Sequence, residues 1–236
     1  MFILEKTNIN INKMKNYIFI HAALLYKCQE RILQYLKKIS ISKLTISKII
    51  ICCVGNDYSQ IDINILNEYD NIILQNVSNN KTDYELPTLQ YIYEFSNENP
   101  DCNVLYLHTK NVGKELNLCI EDQIEYMTYF LITKGEECID KLQKYNTLGV
   151  DLRKEPTLHY SGNFWWSKTN YIKELPEPNK FNYLSKYPNP LNSLRHNQEF
   201  WICYNKNNHY SLWDCGINCY ERHLNRYPKE LYYNNI

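Results

Sequence analysis

The sequence predicts an α/β sandwich around a mainly parallel sheet, on three observations. Short apolar runs of strand length recur at Tyr17–Leu25, Lys48–Val54, Asn71–Val77 and Asn103–Leu107. Segments with apolar residues at helical spacing lie between them. Tyr17–Leu25 and Lys48–Val54 are nearly continuous in apolar residues rather than alternating, as expected of strands covered on both faces.

YIFIHAALL opens the chain of elements as a buried strand, and Lys27–Lys38 follows with Ile32, Leu33 and Leu36 on one helical face. KIIICCV is the second strand, stopped by Gly55-Asn56-Asp57, and NIILQNV is the third. In ELPTLQYIYEF, Pro87 suits a first helical turn, and Leu89, Ile92, Tyr93 and Phe95 line one side. NVLYL is the fourth strand and runs straight into His108-Thr109-Lys110. A long helical region is expected over 118–144 with a break near Gly135, then a strand at Leu148–Leu152, a helix near 197–205 and a strand at 210–214. Pro176–Asn192 reads as a long surface loop.

Residues 15–236 are expected to form a single domain, with 1–14 an N-terminal extension that is disordered. Lys+Arg and Asp+Glu are 26 each, so no basic field draws the chain to nucleic acid. Nine Cys at irregular spacing read as buried thiols in a reducing compartment rather than a disulfide framework. No signal peptide is visible, and the longest aliphatic stretch, IIICCV, is far short of the ~20 residues a membrane helix needs. Neither G-x-x-x-x-G-K-[ST] nor G-x-G-x-x-G occurs.

Polar groups appear where strands end: His21 within Ala22, Ala23 and Leu24, then His108-Thr109-Lys110, then Asp151. Any one of these is also how an ordinary strand surfaces, but open α/β sheets bind ligands at their carboxyl ends, and the recurrence favours a site. Lys110 suits a phosphate, Thr109 adds a hydroxyl, and His108 suits a metal or a phosphate oxygen. In LHYSGNFWW, Gly162 permits close backbone approach and Asn163 offers donor and acceptor. Phe164, Trp165 and Trp166 have the aromatic faces that pack sugar rings; as strand neighbours face opposite ways, one Trp is expected in the core and one at the surface. Glu199, read near a helix start, is either a helix-dipole partner or a general base. His209, Cys215, Cys219 and His223 have the residue types of a zinc site without the usual C-x2-C pairing.

YLHTK at 106–110, ELPTL at 85–89, HYSGNFWWSKTNYI at 159–172 and QEFWI at 198–202 together resemble a family of glycosyltransferases found in giant DNA viruses and bacterial surface-polysaccharide clusters. The resemblance runs from about Tyr17 to about Tyr227, and HYSGNFWW is its most specific piece. It implies a GT-A-like sandwich that takes a nucleotide-diphosphate sugar and passes the sugar to a hydroxyl of a glycan or glycoprotein, usually with Mn²⁺ or Mg²⁺. The donor would lie near His21, Ala22, Leu24, Pro87, Thr88, His108, Thr109 and Lys110, with His108 at the metal. Gly162, Asn163, Phe164, Trp165 and Trp166 would wall the acceptor, and Glu199, or else Asp151, would be the base. A cytoplasmic setting follows, the host cytoplasm or a virion if the chain is viral. The Asp-x-Asp that holds the metal in many such enzymes is replaced by His108-Thr109-Lys110, and the usual Gly after Lys is displaced to Gly113. A sugar- or nucleotide-binding module without catalysis, and a zinc-stabilised interaction protein, are the rival readings.

Overall fold

The computed structural model describes residues 14–69, 71–182, 194–205 and 207–233. The N-terminal extension before Met14, and residues 183–192 of the expected surface loop, lie outside the described residues.

The strands β1 (Lys15–Ala23), β2 (Lys48–Val54), β3 (Ile72–Ser78) and β4 (Cys102–His108) form in the order the apolar runs predict. They are mutually parallel, with β1 between β2 and β4. The full sheet has seven strands, in the order β3-β2-β1-β4-β8-β5-β9. Here β5 is Thr147–Gly149, β8 is Trp165–Lys168 and β9 is His209–Ser211. Only β8 runs against the rest: it is antiparallel to both β4 and β5. A separate two-stranded ribbon pairs β6 (Leu152–Arg153) with β7 (His159–Tyr160).

Alternation along the central strands explains why β1 and β2 are apolar at nearly every position. Ile18, Ile20 and Ala22 face one core with Cys28, Ile32, Tyr35 and Leu36 of α1 (Cys28–Ile41). Phe19, Ile50 and Cys52 face another with Leu89 and Ile92 of α3 (Leu86–Glu98). Each buried Ile or Phe contributes ~1.5–3 kcal/mol over an exposed one, and the buried polar residues near the strand starts pair with each other, Asn103 Nδ2 donating to Asn16 Oδ1 (2.9 Å). A short α2 (Ile63–Leu66) precedes β3, and the connection from β3 through α3 crosses back to place β4 on the far side of β1.

The helical region after β4 divides as expected at Gly135. It comprises α4 (Leu118–Thr128), one π-helical turn (Tyr129–Thr133) and α5 (Gly135–Leu142). A Cβ on Gly135 would come within 2.5 Å of the Leu44 side chain, which would have to move aside, so the break sits at a close approach to the loop after α1.

Two expectations change. The strand predicted at Leu148–Leu152 stops at Gly149, because Asp151 turns the backbone into the left-handed region (φ 51). And the aromatic stretch after Gly162-Asn163, assigned no strand from the sequence, supplies β8, the strand between β4 and β5, followed by α6 (Thr169–Ile172). Trp165 packs with the α3-side core and Trp166 with the α1-side core, both 0% exposed. The two rings are indeed split, but between two core layers rather than between core and surface. Trp166 Nε1 donates to the Leu131 carbonyl oxygen (2.8 Å), so its one polar atom is satisfied inside.

Candidate active site

The order β2-β1-β4 makes the point between β1 and β4 the place where the chain's path across the sheet reverses. Crevices for ligands open outside the carboxyl ends of parallel strands at such a reversal. His21 and His108 stand there as direct register partners. Beyond them the strands are stitched together: Thr109 N donates to His21 O (2.9 Å) and Ala23 N donates to Thr109 Oγ1 (3.0 Å). Tyr35 of α1 donates its hydroxyl to His108 O (2.9 Å).

The turn after β4 holds Lys110 beside this edge. Lys110 N donates to His108 O (2.8 Å), and Gly113 N donates to Tyr26 O (2.8 Å), docking the turn on the loop after β1. Asn111, next after Lys110, adopts φ 63, a conformation Asn tolerates better than most residues, so it does conformationally what a Gly would do there. A polar cavity of about 200 Å³ adjoins these loops, lined by Lys27, Arg31, Asn111, Lys114 and Glu121 among others.

On the α3 side, His21 Nδ1 lies 2.9 Å from Thr88 Oγ1, and His108 Nε2 lies 3.0 Å from Gly162 O. A carbonyl only accepts, so His108 Nε2 carries the proton. The His108 ring packs edge-on against Phe164, with centroids 5.0 Å apart. Gly162 has φ 97, and a Cβ there would stand 2.6 Å from Met127 Sδ. Asn163 follows at φ 55. This Gly-Asn pair thus makes the tight turn that delivers β8 into the sheet.

Asn163 opens a buried network that the sequence did not reveal. Its Nδ2 donates to Glu85 Oε2 (2.7 Å), Tyr106 OH donates to the same oxygen (2.6 Å), and Trp165 Nε1 donates to Asn163 Oδ1 (3.1 Å). Glu85 N donates to Gln198 Oε1 (2.8 Å) of α7 (Leu194–Phe200), so β4, the turn before β8 and α7 converge on Glu85. Its only sequence signal was a carboxylate just before a Leu-Pro helix start. Its partners lie 21, 78 and 113 residues away.

Burial pushes the His21 imidazole down to about 4; the Glu85 carboxylate opposes this and His108 adds to it. His21 is therefore neutral in the fold at pH 7 and gains a proton readily only when unfolded, where its value is near 6.5. Between those values the unfolded chain binds the extra proton, so this contribution is complete above about 6.5 and is lost as pH falls towards about 4. A difference of that size is worth roughly 3 kcal/mol at most. Urea unfolding at pH 7 and pH 5 should show the loss, and His21→Gln should flatten it. Burial also lowers His159 and His209, which act in the same direction.

The remaining sequence candidates separate into several groups. Ala22 and Leu24 lie at this edge, but their side chains are buried in the α1-side core, so they are corrected to core residues. Pro87 and Thr88 are in the first turn of α3, and Thr88 reaches the site through His21. Phe164, Trp165 and Trp166 are too deeply buried for their faces to stack on a sugar; they hold the turn in place.

Asp151 is corrected as well. It is 0% exposed and accepts from Arg222 on one oxygen, and from Arg153 (3.2 Å), Tyr126 OH (3.2 Å) and Cys215 N (2.8 Å) on the other. A carboxylate wholly buried and paired with two guanidiniums is closed to an acceptor hydroxyl. Glu199 is not at a helix start but in the last turn of α7, where a negative charge opposes the helix dipole. That removes the dipole reading. Glu199 is half-buried, and its charge reaches Tyr106 and His159, raising both against or alongside the larger effect of burial.

The donors at the reversal point do not fit a hard divalent cation held by protein ligands. Mn²⁺ and Mg²⁺ favour several converging oxygens. Among the described residues the cluster with three possible ligand atoms within 4.8 Å is Asp151, Asp214 and Cys215, and Arg153 and Arg222 already pair with its carboxylates. The zinc arrangement is not supported by His209, whose ring nitrogens meet Thr147 Oγ1 (2.6 Å) and Asn205 O (2.8 Å). The Cys219 side chain lies outside the described residues.

No helix among the described residues is long and apolar enough to cross a membrane. No curated protein matches the chain. Among solved structures, the chain is similar to a 4-diphosphocytidyl-2C-methyl-D-erythritol synthase from Anaerococcus prevotii DSM 20548. The identity is 16%, over 86% of this chain and 88% of that one, with a TM-score of 0.49, a likeness too slight to bear on activity. The family described as a domain of unknown function, DUF8361, matches residues 18–212, and the chain belongs to it.

Proposed function

We propose that this chain is a glycosyltransferase that moves a sugar from a nucleotide-diphosphate donor to an acceptor hydroxyl on a glycan or glycoprotein. The observation that carries the reading is the reversal point between β1 and β4, where His21, Thr88, His108, Thr109 and Lys110 gather at one sheet edge. The sequence resemblance supports it independently, since the YLHTK and HYSGNFWW segments meet there through the bond between His108 and Gly162 O.

In this reading Lys110 faces the diphosphate. Glu199 takes the proton of the acceptor hydroxyl as that oxygen bonds to the anomeric carbon. The bond from that carbon to the phosphate oxygen breaks, and the diphosphate leaves with the electron pair. Charge that a metal would neutralise elsewhere falls to Lys110, because the donor set does not fit a protein-held Mn²⁺ or Mg²⁺. Transfer is therefore expected to persist in EDTA, and strict dependence on an added cation would overturn this part.

A thermal-shift screen of UDP-, GDP- and dTDP-sugars tests the reading directly, because a ligand of the folded state must raise its stability. Release of the nucleoside diphosphate with sugar transfer would establish turnover; binding without turnover would favour the module that has lost catalysis. Lys110→Ala should weaken nucleoside-diphosphate binding by on the order of 1.5–3 kcal/mol, one charge-assisted phosphate contact. Equal calorimetric affinities in mutant and parent would remove Lys110 from the site.

A further inference from the structure

Glu85 is held more firmly than a residue that merely starts a helix would be. It is 8% exposed, and Tyr106 OH and Asn163 Nδ2 fix one carboxylate oxygen at 2.6 and 2.7 Å. Its backbone N–H is tied to Gln198. The other oxygen, Oε1, has no hydrogen-bond partner among the described residues, yet it is not one of the buried atoms sealed without one. A preorganised carboxylate thus keeps one accepting oxygen unclaimed by the protein, with its charge close enough to act on His21.

We propose that Glu85 is a specificity-determining residue whose Oε1 accepts a hydrogen bond from a hydroxyl of the transferred sugar, an inference that rests on the glycosyltransferase reading. A carboxylate only accepts, so it repels phosphate and selects O–H or N–H donors. The site then divides its labour: Lys110 reads the anionic half of the donor and Glu85 the hydroxyl-bearing half. A bound sugar that displaces water from this oxygen must replace its hydrogen bond, and one without the hydroxyl leaves the oxygen unpaired, which is how buried polar groups discriminate.

The division is testable by calorimetry with UDP, GDP and dTDP alongside UDP-glucose, GDP-mannose and dTDP-rhamnose. In Glu85→Gln the amide oxygen can still serve Tyr106 and Asn163, which turns the amide nitrogen outward and exchanges an acceptor for a donor. The mutant should bind the nucleotide sugar roughly tenfold or more weakly while binding the nucleoside diphosphate as the parent does. Tyr106→Phe, which removes one of the donors that orient the carboxylate, should show the same split and carries the test if Glu85→Gln fails to fold. Equal losses for diphosphate and sugar conjugate, or no loss, would overturn the role of Glu85 and leave the glycosyltransferase reading standing. A parent protein that binds none of the six would overturn both.

Discussion

Arg222→Ala should lower the unfolding free energy by about 3–5 kcal/mol, the usual result of removing one partner from a buried ion pair. For a chain of this length that corresponds to a melting temperature lower by roughly 6–20 °C. Arg222 is 4% exposed and Asp151 wholly buried, so neither charge can turn to water when the other is lost. The guanidinium also lies over the rings of Tyr126 and Tyr227, 5.1 and 5.8 Å from their centroids. Its removal therefore takes away packing as well as charge. The remaining donors to Asp151 soften the loss without replacing a second positive charge. Arg226→Ala is the internal control: Arg226 is half-exposed and pairs with Asp122 near solvent, where water screens the pair and its loss is mild. Chemical unfolding of the two mutants would compare them. If Arg222→Ala were as mild as Arg226→Ala, the Asp151 cluster would not be what fastens residues 213–233 to the end of β5. Combining Arg222→Ala with Asp151→Asn should cost less than the sum of the two, because the double mutant leaves less uncompensated charge.

Asp151 also shows where the sequence stops being legible. LGVDLR reads as a buried strand that surfaces at Asp151, and from the sequence alone a carboxylate at a strand end looks available for chemistry. The arginine that claims it is 71 residues away, in a segment with no strong pattern of its own. Strands β1, β2 and β4 were legible because they are covered on both faces and are apolar at most positions, a requirement local to the strand, and the edge strand β3 through its short Ile-Ile-Leu run. The helices between them were legible for the same reason, through the faces they present.

β8 was not legible. Four residues carrying two Trp, entered through Gly162 and Asn163, have no local mark that separates a central strand from an aromatic loop. Only its neighbours β4 and β5 decide the matter. The site follows the same rule. His21 and His108 could be nominated because strand ends can be located from the runs, and the structure sets them side by side. Glu85 could not, because its environment is assembled from β4, the turn before β8 and α7. Glu199 was nominated on the wrong geometry: the helix includes Leu194, earlier than the pattern suggested, which moves Glu199 from its start to its end.

That displacement sharpens the second large prediction. Glu199→Gln should leave folding and nucleoside-diphosphate binding intact while slowing sugar transfer by ~10²–10⁴-fold, the usual worth of general-base assistance. In the last turn of α7 a carboxylate faces the negative end of the helix dipole, so the position does not favour it on structural grounds. Its neighbour Gln198 anchors Glu85, and its own charge reaches Tyr106 and His159, so it stands beside the network that closes the α3 side of the site. The amide keeps the shape and loses the proton affinity, so a packing role would survive the exchange and a base would not. The melting temperature should hold or rise slightly, since the mutation removes a charge unfavourable to the helix. Single-turnover transfer with the donor that wins the thermal screen is the decisive measurement, because it isolates the chemical step from product release. A mutant that transfers sugar at the parental rate would end the case for Glu199. With Asp151 locked between two guanidiniums, the base would then be sought at Glu85, whose free oxygen would have to serve a proton rather than a sugar hydroxyl.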